Sequence, residues 1–242
     1  MSLQNAVTGL QAAQANLSVI SSNISNAQTP GYSRETIPLT SQILGGNGAG
    51  VTTGLTQRLI DDSLSRSVRT QDTAASAATT TDDYLQQIQS LFGQVNGGNS
   101  LGDVFGKFSG ALQTLSTTPE DPIAQQNAVS VGQNLAQKLN EMSSGIQQTR
   151  AGIDGELANS VATLNSSLQN IAGFNIAITH AKATGQTTAA LEDQRDQALD
   201  QVAKLIGVQD FVRPDGTMVV LTNTGKVLSR AGKGRSLACL HQ

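Results

Sequence analysis

The sequence predicts a mainly α-helical protein: long helices forming a coiled-coil-like bundle, an N-terminal amphipathic helix, and then the opening of a β-rich domain. Apolar residues recur at helical or heptad spacing along most of the chain, and the spacing changes to that of strands only after Gly207. Glycine and proline separate these stretches. We divide the 242 residues into an N-terminal helix and turn, a glycine-rich connector, a long-helix domain, a β-hairpin opening a β-rich domain, and an atypical tail, at 1–32, 33–60, 61–206, 207–228 and 229–242.

The first predicted helix covers residues 3–24 and carries one narrow apolar edge. The residues of this edge follow heptad-like spacing, with Ile20 beside them; they are Leu3, Val7, Leu10, Leu17, Ile20 and Ile24. No charged residue precedes Arg34, and an isolated helix of this polarity is marginally stable in water. We therefore expect the helix to need a partner helix, and to be disordered or to project as an isolated helix in a dilute monomer.

A turn is predicted where this helix ends. Pro30-Gly31 enforces a reversal of the chain, and Tyr32 presents an apolar ring with a polar tip. Asn23 and Asn26 are placed to hydrogen-bond the last free carbonyl groups of the helix. By themselves these residues fit an ordinary helix terminus.

The connector and the next two helices follow. Residues 35–60 alternate loosely and are rich in glycine, which predicts an irregular or short-strand connector. Helical spacing returns over about 61–94 and again over 101–115, and a glycine pair separates the two stretches.

A longer helix is predicted from Thr118-Pro119 to about Ala183, with Thr118 as its cap and Pro119 in its first turn. A hairpin after Leu139 is left open. One edge keeps a heptad register with a polar interruption at Asn175, through Leu157, Val161, Leu164, Leu168, Ile171 and Ile178.

The last predicted helix begins after Gly185, with Thr187 or Thr188 as its cap, and runs to Ile206 with Gly207 as its C-terminal glycine. Two apolar runs then flank Pro214-Asp215-Gly216-Thr217, which predicts a β-hairpin with Asp-Gly in the turn.

Composition argues against several functional classes. Charged residues make up 14% and the net charge is −3, so no strong field attracts nucleic acid or an anionic membrane. Aromatic residues are 3% and tryptophan is absent, which leaves few rigid walls for a ligand pocket. No apolar run reaches the roughly 18–20 residues of a membrane span, and the N-terminus lacks the features of a cleavable signal peptide.

Catalytic, cofactor-binding and metal-binding residues are not predicted. His180 and His241 are the only histidines and belong to no cluster with metal-ligand spacing, and Cys239 is the single cysteine. The glycines at Gly102 and Gly106 are too close together for a phosphate-binding loop. We therefore expect a structural protein and not an enzyme.

Residues 17–32 closely resemble the signature of the flagellar axial proteins, the rod, hook and hook-associated families. In those families an Asn-Ile-x-Asn pair, a threonine and a Gly-aromatic pair follow the first helix. The matching residues here are Asn23, Asn26, Thr29, Gly31 and Tyr32.

A second segment resembles the first hook-associated protein family in particular. Asp193-Gln194-Arg195-Asp196 follows the long helices and precedes the β-rich part, as in that family. From the residues alone, Arg195 either pairs with Glu192 in a solvated turn or ties the helix to the hairpin through carbonyl groups or Asp196. The resemblance extends over roughly residues 1–228.

The resemblance implies a structural subunit that joins hook to filament in a ring, with the edge of the first helix as its assembly face. It implies partners in the hook protein, the second junction protein and other copies of the chain. It also implies export through the flagellar type III apparatus to the cell exterior, with an export chaperone expected on the family's C-terminal part, which is absent here. Another axial protein is one alternative. A cytoplasmic coiled-coil adaptor is a second, although it would be expected to carry more Glu and Lys beside its heptads.

The tail at 229–242 is basic and resembles nothing in the family. Family members are longer and end in a C-terminal amphipathic helix that pairs with the first helix. We therefore expect a truncated, frameshifted or engineered end, and we assign the tail no function.

Overall fold

The structure, a computed structural model, describes residues 2–44, 47–94, 97–230 and 233–234, and these residues form five α-helices and eight β-strands. The helices are α1 (Ser2–Ser25), α2 (Asp62–Phe92), α3 (Leu101–Thr117), α4 (Pro122–Ala183) and α5 (Ala189–Leu205). The strands are β1 (Glu35–Thr36), β2 (Leu39–Leu44), β3 (Asn47–Thr53), β4 (Gln57–Arg58), β5 (Val208–Val212), β6 (Met218–Thr222), β7 (Val227–Arg230) and β8 (Lys233–Gly234). The predicted mainly helical class, with strands toward the C-terminus, is confirmed.

The chain forms two compact units. Unit 1 comprises Met1–Ser76 and Ser160–Gln242, and unit 2 comprises Ala77–Asn159. Unit 1 thus holds α1, all eight strands, α5, the first part of α2 and the last part of α4. This division cuts the chain at places other than the predicted ranges, because the long-helix range 61–206 contributes to both units.

The core of unit 1 lies between helices and a sheet. Strands β5 to β8 form one antiparallel sheet in sequence order. The core residues come from α4, α5, β6 and β7, and they are Leu164, Leu168, Ile171, Leu199, Val202, Met218, Val220 and Leu228. The predicted heptad edge of α4 is therefore buried from Leu164 onward, whereas Leu157 at its start is exposed.

The predicted β-hairpin is β5–β6. Val212 pairs with Met218, and the turn between them places Gly216 at a φ of 89°, where a side chain would be strained. Asp215 Oδ1 accepts hydrogen bonds from the N–H and the hydroxyl of Thr217, at 2.8 and 2.7 Å. The turn therefore has the geometry that Asp-Gly favours.

The sheet continues past the predicted hairpin into β7 and β8. Ser229 is fully buried in β7, so the range predicted as an atypical tail begins inside the sheet. Cys239 and His241 lie outside the described residues.

The predicted connector contains two small antiparallel pairs, β1 with β4 and β2 with β3. Of the two predicted forms, short strands are the one that the structure has. Glu35 pairs directly with Arg58 in the first pair, and β2–β3 forms a hairpin. Gly45 and Gly46, in the glycine-rich stretch, are outside the described residues.

Unit 2 contains residues 77–92 of α2, all of α3, and residues 122–159 of α4. Its buried apolar side chains are mostly small: Ala111, Ala124, Ala128 and Met142. Ser100 and Asp103 form a reciprocal capping box at the start of α3.

Two predictions about α4 are wrong. The helix begins at Pro122 and not after Thr118, because Asp121 caps it: Asp121 Oδ1 accepts the N–H of Ile123 at 2.9 Å. The same rule of a polar cap followed by proline applies one proline later in the chain. The possible hairpin after Leu139 does not form, and α4 continues unbroken for 62 residues, since no proline follows Pro122 within it.

The boundaries of α5 differ partly from prediction. Gly185 has a φ of 68° and ends α4 as expected, but Thr188 occupies the N-cap position of α5 without a side-chain cap bond. The helix ends at Leu205, and Gly207 is not the left-handed C-terminal glycine that was predicted. A Cβ atom on Gly207 would lie 2.2 Å from the Asn223 side chain, so this glycine permits close approach instead.

Candidate assembly surface and its attachment

All six predicted assembly residues on α1 are exposed in this chain. Their exposed fractions run from 42% at Val7 to 77% at Leu3. We call them the apolar stripe: Leu3, Val7, Leu10, Leu17, Ile20 and Ile24. Burying such side chains stabilises a complex by roughly 1.5–3 kcal/mol each, so covering the stripe would contribute strongly to the free energy of association.

The opposite face of α1 packs against the hairpin β2–β3. Asn5 Nδ2 donates to the carbonyl of Gly48 at 2.9 Å, and the N–H of Val51 donates to Thr8 Oγ1 at 3.3 Å. Ala12 continues this face and is buried. Successive helical residues are rotated by about 100°, which places Asn5, Thr8 and Ala12 on roughly the other side of the helix from the stripe.

The expectation that α1 is disordered or isolated without a partner helix is therefore wrong. Its partner in unit 1 is a β-hairpin, and that partner contacts small and polar side chains. A search for apolar periodicity misses such a face because nothing on it repeats as hydrophobic. The hairpin leaves the apolar stripe uncovered.

The predicted signature turn attaches α1 to β1. Asn23 Nδ2 donates to the carbonyl of Glu35 at 2.9 Å, and the N–H of Glu35 donates to Asn23 Oδ1 at 2.8 Å. The hydroxyl of Tyr32 donates to the same Asn23 oxygen at 3.0 Å. Asn23 thus pairs with a strand residue and does not cap helix carbonyl groups as predicted.

The rest of the signature turn closes the end of the helix. Asn26 Nδ2 donates to the carbonyl of Ser22 at 3.0 Å, as predicted, and Thr29 Oγ1 donates to Asn26 Oδ1 at 3.3 Å. Gly31 has a φ of 77°, and a Cβ atom there would lie 2.2 Å from Nε2 of Gln197 on α5. A side chain at Gly31 would therefore be strained by the positive φ and would displace the Gln197 side chain.

The predicted family segment lies on α5 directly beneath this turn. The N–H of Ser33 donates to Asp193 Oδ2 at 3.0 Å, and Gln197 Nε2 donates to the carbonyl of Pro30 at 3.3 Å. Two segments that are 160 residues apart in sequence thus meet here. Gln194, on the same helix, is exposed.

Arg58 of β4 binds three carboxylates of α5. Its Nη1 donates to Asp193 Oδ1 at 2.7 Å and to Asp196 Oδ2 at 2.8 Å, and its Nε donates to Glu192 Oε2 at 3.1 Å. The side chain of Arg58 is only 6% exposed. Ion pairs that are buried and hydrogen-bonded to this extent are strong and depend on exact geometry.

Burial and neighbouring charges together shift the pKa values of this cluster. Burial by itself would lower the pKa of Arg58, but Asp196, Asp193 and Glu192 together raise it. Burial raises the pKa of Asp196 even though Arg58 opposes that shift. Burial and the nearby charge of Asp193 also raise the pKa of Glu35. Burial is therefore the largest cause of the raised pKa values of Asp196 and Glu35.

Arg195 connects α5 to the C-terminal sheet. Its Nη1 donates to the carbonyl of Gly216 at 2.7 Å and to Asn175 Oδ1 at 3.2 Å. Arg195 therefore ties the helix to the hairpin through a carbonyl group, which is one of the predicted alternatives. The residue is fully buried, and burial lowers the pKa of its guanidinium. Asn175 also bonds both backbone groups of Met218 at 2.8 Å.

Arg58 is the functional candidate that sequence analysis missed. It lies in a connector without strong periodicity, and no motif marks it. The sequence of α5 did contain a signal for such a partner. Asp196 lies four residues after Glu192 and three after Asp193, so the three acids lie close together on the helix. Three acids on one face require a cation from elsewhere in the chain when they are buried.

Among the described residues, no group of three or more His, Cys, Asp or Glu residues is arranged to hold a metal ion. None of the described helices combines the length and the apolar character that crossing a bilayer requires.

Comparison with known proteins matches two families. The model of the flagellar hook-associated protein FlgK helical domain matches residues 85–241, and the model of the flagella basal body rod proteins matches residues 3–32. The second match covers α1 from Leu3 onward and ends at Tyr32, the last residue of the signature turn.

Curated relatives match over nearly the whole chain. Flagellar hook-associated protein 1 of Salmonella typhimurium is 29% identical over 245 residues, covering 98% of this chain and 44% of the relative. The protein of the same name from Bacillus subtilis is 26% identical over 239 residues, covering 94% and 47%. The chain therefore spans less than half the length of these relatives.

Proposed function

Because the chain belongs to the family of the flagellar hook-associated protein FlgK helical domain, we propose that it is a structural subunit of the junction between the bacterial flagellar hook and filament. The proposal assigns assembly to the apolar stripe of α1. The observation that carries it is the orientation of this helix: the hairpin β2–β3 holds one face, and six exposed aliphatic side chains occupy the other.

The stripe is suited to helix-to-helix packing. Five of its residues follow the spacing of a coiled-coil seam, Ile20 lies beside them, and all six are aliphatic. A soluble monomer gains nothing from exposing six such side chains on one helix edge, and an exposed apolar surface of this kind marks a contact with another protein. The match of residues 3–32 to rod proteins supports a contact that axial proteins share.

The proposal extends to partners and location. The chain would pack with other copies in a ring, and with the hook protein and the second junction protein on either side. It would reach the cell exterior through the flagellar type III apparatus, aided by a chaperone. Its role would be structural and not catalytic, which agrees with the family's structural character.

Motility of the organism that encodes the chain tests the proposal. The gene is replaced by the triple variant Leu10→Gln/Leu17→Gln/Ile24→Gln, which removes the apolar character of the stripe while keeping helix-forming side chains. Swimming and the number of attached filaments are counted. The matched control, Ser18→Gln/Ser25→Gln, introduces the same side chain at exposed positions outside the stripe.

We expect the stripe variant to lose attached filaments and to release filament protein into the medium. The control should swim like the parent. Normal filament attachment in the stripe variant, with the variant present at parental levels, would overturn the proposal.

A further inference from the structure

We infer that Arg58 is the positioning residue of α1: by binding the three carboxylates of α5, it sets the angle at which unit 1 presents the apolar stripe. This inference rests on the proposed function and deepens it, since it names a residue outside the stripe on which assembly depends. Arg58 lies on a different element from the stripe residues and is buried.

A continuous path of contacts joins α1 to Arg58. Asn23 of α1 bonds both backbone groups of Glu35 in β1. Glu35 is the direct partner of Arg58 in the two-stranded pair β1–β4. The N–H of Leu59 also donates to the carbonyl of Arg34 at 2.8 Å, so the pair is held on both sides of Arg58's position. Moving Arg58 therefore moves the strand to which α1 is bound.

The other end of the path is fixed on α5 by directional bonds. A guanidinium is a rigid, planar fork, and here Nη1 bridges Asp193 and Asp196 while Nε reaches Glu192. Bonds to three acceptors on one helix restrain both the distance and the tilt of β4. A flexible ammonium group, which acts as a point charge, would restrain the distance and leave the tilt free.

Asp193 makes the arrangement more specific. One of its oxygens accepts from Arg58 and the other accepts the N–H of Ser33 in the signature turn. The segment just before β1 and the strand β4 that pairs with β1 are therefore bound to the same carboxylate. Asp193 is itself buried, so water does not compete strongly for these bonds.

The geometry of a long helix explains why the angle matters. α1 has 24 residues; the hairpin β2–β3 packs on its N-terminal half, and its attachment to β1 lies near its C-terminal end. At 1.5 Å per residue, a tilt of helix and hairpin together by about 10° about this attachment displaces the far end of α1 by about 6 Å. A displacement of this size exceeds what a packed helix seam tolerates, so the stripe can be intact and still misplaced.

The inference is tested by measuring distances within the isolated chain. Nitroxide labels are attached to cysteines introduced by Ser18→Cys on α1 and Gln201→Cys on α5, both at exposed positions. The single natural cysteine is removed by Cys239→Ser. Pulsed electron resonance gives the distribution of distances between the labels. Arg58→Met removes the guanidinium at similar volume, Arg58→Lys keeps the charge, and Arg66→Met, at an exposed arginine of α2, is the matched control.

We expect the distribution to be at least twice as broad in Arg58→Met as in the parent, intermediate in Arg58→Lys, and unchanged in Arg66→Met. Exchange of the Met218 amide, which is buried in the core, should stay as slow as in the parent. A residue that only stabilises the fold would change the unfolding midpoint and leave the distances of the folded state as they were. Superimposable distributions for Arg58→Met and parent overturn the inference.

A less destabilising variant is used if Arg58→Met unfolds unit 1, which would be seen as loss of hydrogen-exchange protection at the Met218 amide. Asp193→Asn then decides: a broadened distribution with a protected core supports positioning, and loss of the core in both variants overturns it. None of these distances requires an assembled flagellum. If the stripe variants assemble normally, the proposed function fails while the distance result on Arg58 still stands.

Discussion

Two asparagines fasten strands to helices in the same way. Asn23 on α1 and Asn175 on α4 each accept one backbone N–H and donate to the carbonyl of the same residue, Glu35 and Met218 respectively. A carboxamide side chain carries a donor and an acceptor and so replaces a neighbouring strand's peptide group. Asn175 was predicted as a polar interruption of a heptad edge, and its polarity serves this contact.

At Arg195 we predict a large loss of stability on truncation. Arg195→Ala removes charge-assisted bonds to the Gly216 carbonyl and to Asn175 from a buried position. The free energy of unfolding should fall by about 2–4 kcal/mol. Urea titration measures it, with exposed Arg66→Ala expected to change it by less than about 0.5 kcal/mol. Coincident urea midpoints for parent and Arg195→Ala would show that the residue is dispensable.

Asp196 should make stability depend on pH. Burial raises its pKa above the ordinary value of 3.8, so the folded chain binds this proton more tightly than the unfolded chain does. Its contribution to stability is complete below 3.8 and is lost as pH rises through the raised pKa.

Asp196→Asn cannot titrate and should therefore gain stability relative to the parent as pH rises through that window. Urea titrations between about pH 3.5 and 7 measure the difference, and Glu35, whose pKa is also raised, cancels in it. Asp72→Asn, at an exposed position on α2, is the control. A difference independent of pH would mean that the pKa of Asp196 is not raised in the folded chain.

At the scale of elements, the attachment of α1 to its hairpin depends on Gly50. Its φ is 106°, and a Cβ atom would lie 2.3 Å from Thr8 Oγ1. Gly50→Ala should strain the strand and separate it from α1, so that amides of α1 exchange on the order of tenfold faster. Gly48→Ala, where a Cβ atom meets nothing within 4 Å, is the matched control. Equal exchange in the two variants would contradict the hairpin's role.

Two glycines of α4 in unit 2 should respond differently to alanine. At Gly152 a Cβ atom meets nothing within 4 Å, so Gly152→Ala should raise the free energy of unfolding by about 0.5–1 kcal/mol. At Gly145 it would lie 2.4 Å from Leu91 Cδ2, so that side chain must move and the gain should be smaller. Thermal unfolding of both variants measures this. A larger gain at Gly145 than at Gly152 would contradict the packing described.

Elements were predictable where their signals are local. The spacing of Leu164, Leu168 and Ile171 marked the buried edge of α4, and Asp215-Gly216 marked the hairpin turn. The start of α4 was misplaced because Pro119 and Pro122 both satisfy the same local rule, and only the bond from Ile123 to Asp121 distinguishes them. Local rules do not choose between two equivalent caps.

At the scale of the whole molecule, the candidate assembly residues were predictable and their support was not. All residues of the apolar stripe lie on one helix, so the spacing of apolar residues in the sequence predicts it. Arg58, Asp193 and Gly50 act on partners 42 to 160 residues away, and nothing in their own neighbourhoods marks those contacts. Folding brings such residues together through the sheet pairs and α5.

Cross-linking inside assembled flagella tests the central claim, that the stripe of α1 is the assembly contact, most directly. A photoreactive amino acid replaces Leu10 in the stripe, or the exposed Gln4, which is rotated by about 120° from Leu10 around the helix axis, in the organism that encodes the chain. After illumination, we expect Leu10 to give adducts with another copy of the chain or another flagellar axial protein, and Gln4 to give none. Adducts from Gln4 with none from Leu10, in flagella that contain both variants at equal levels, would contradict the account.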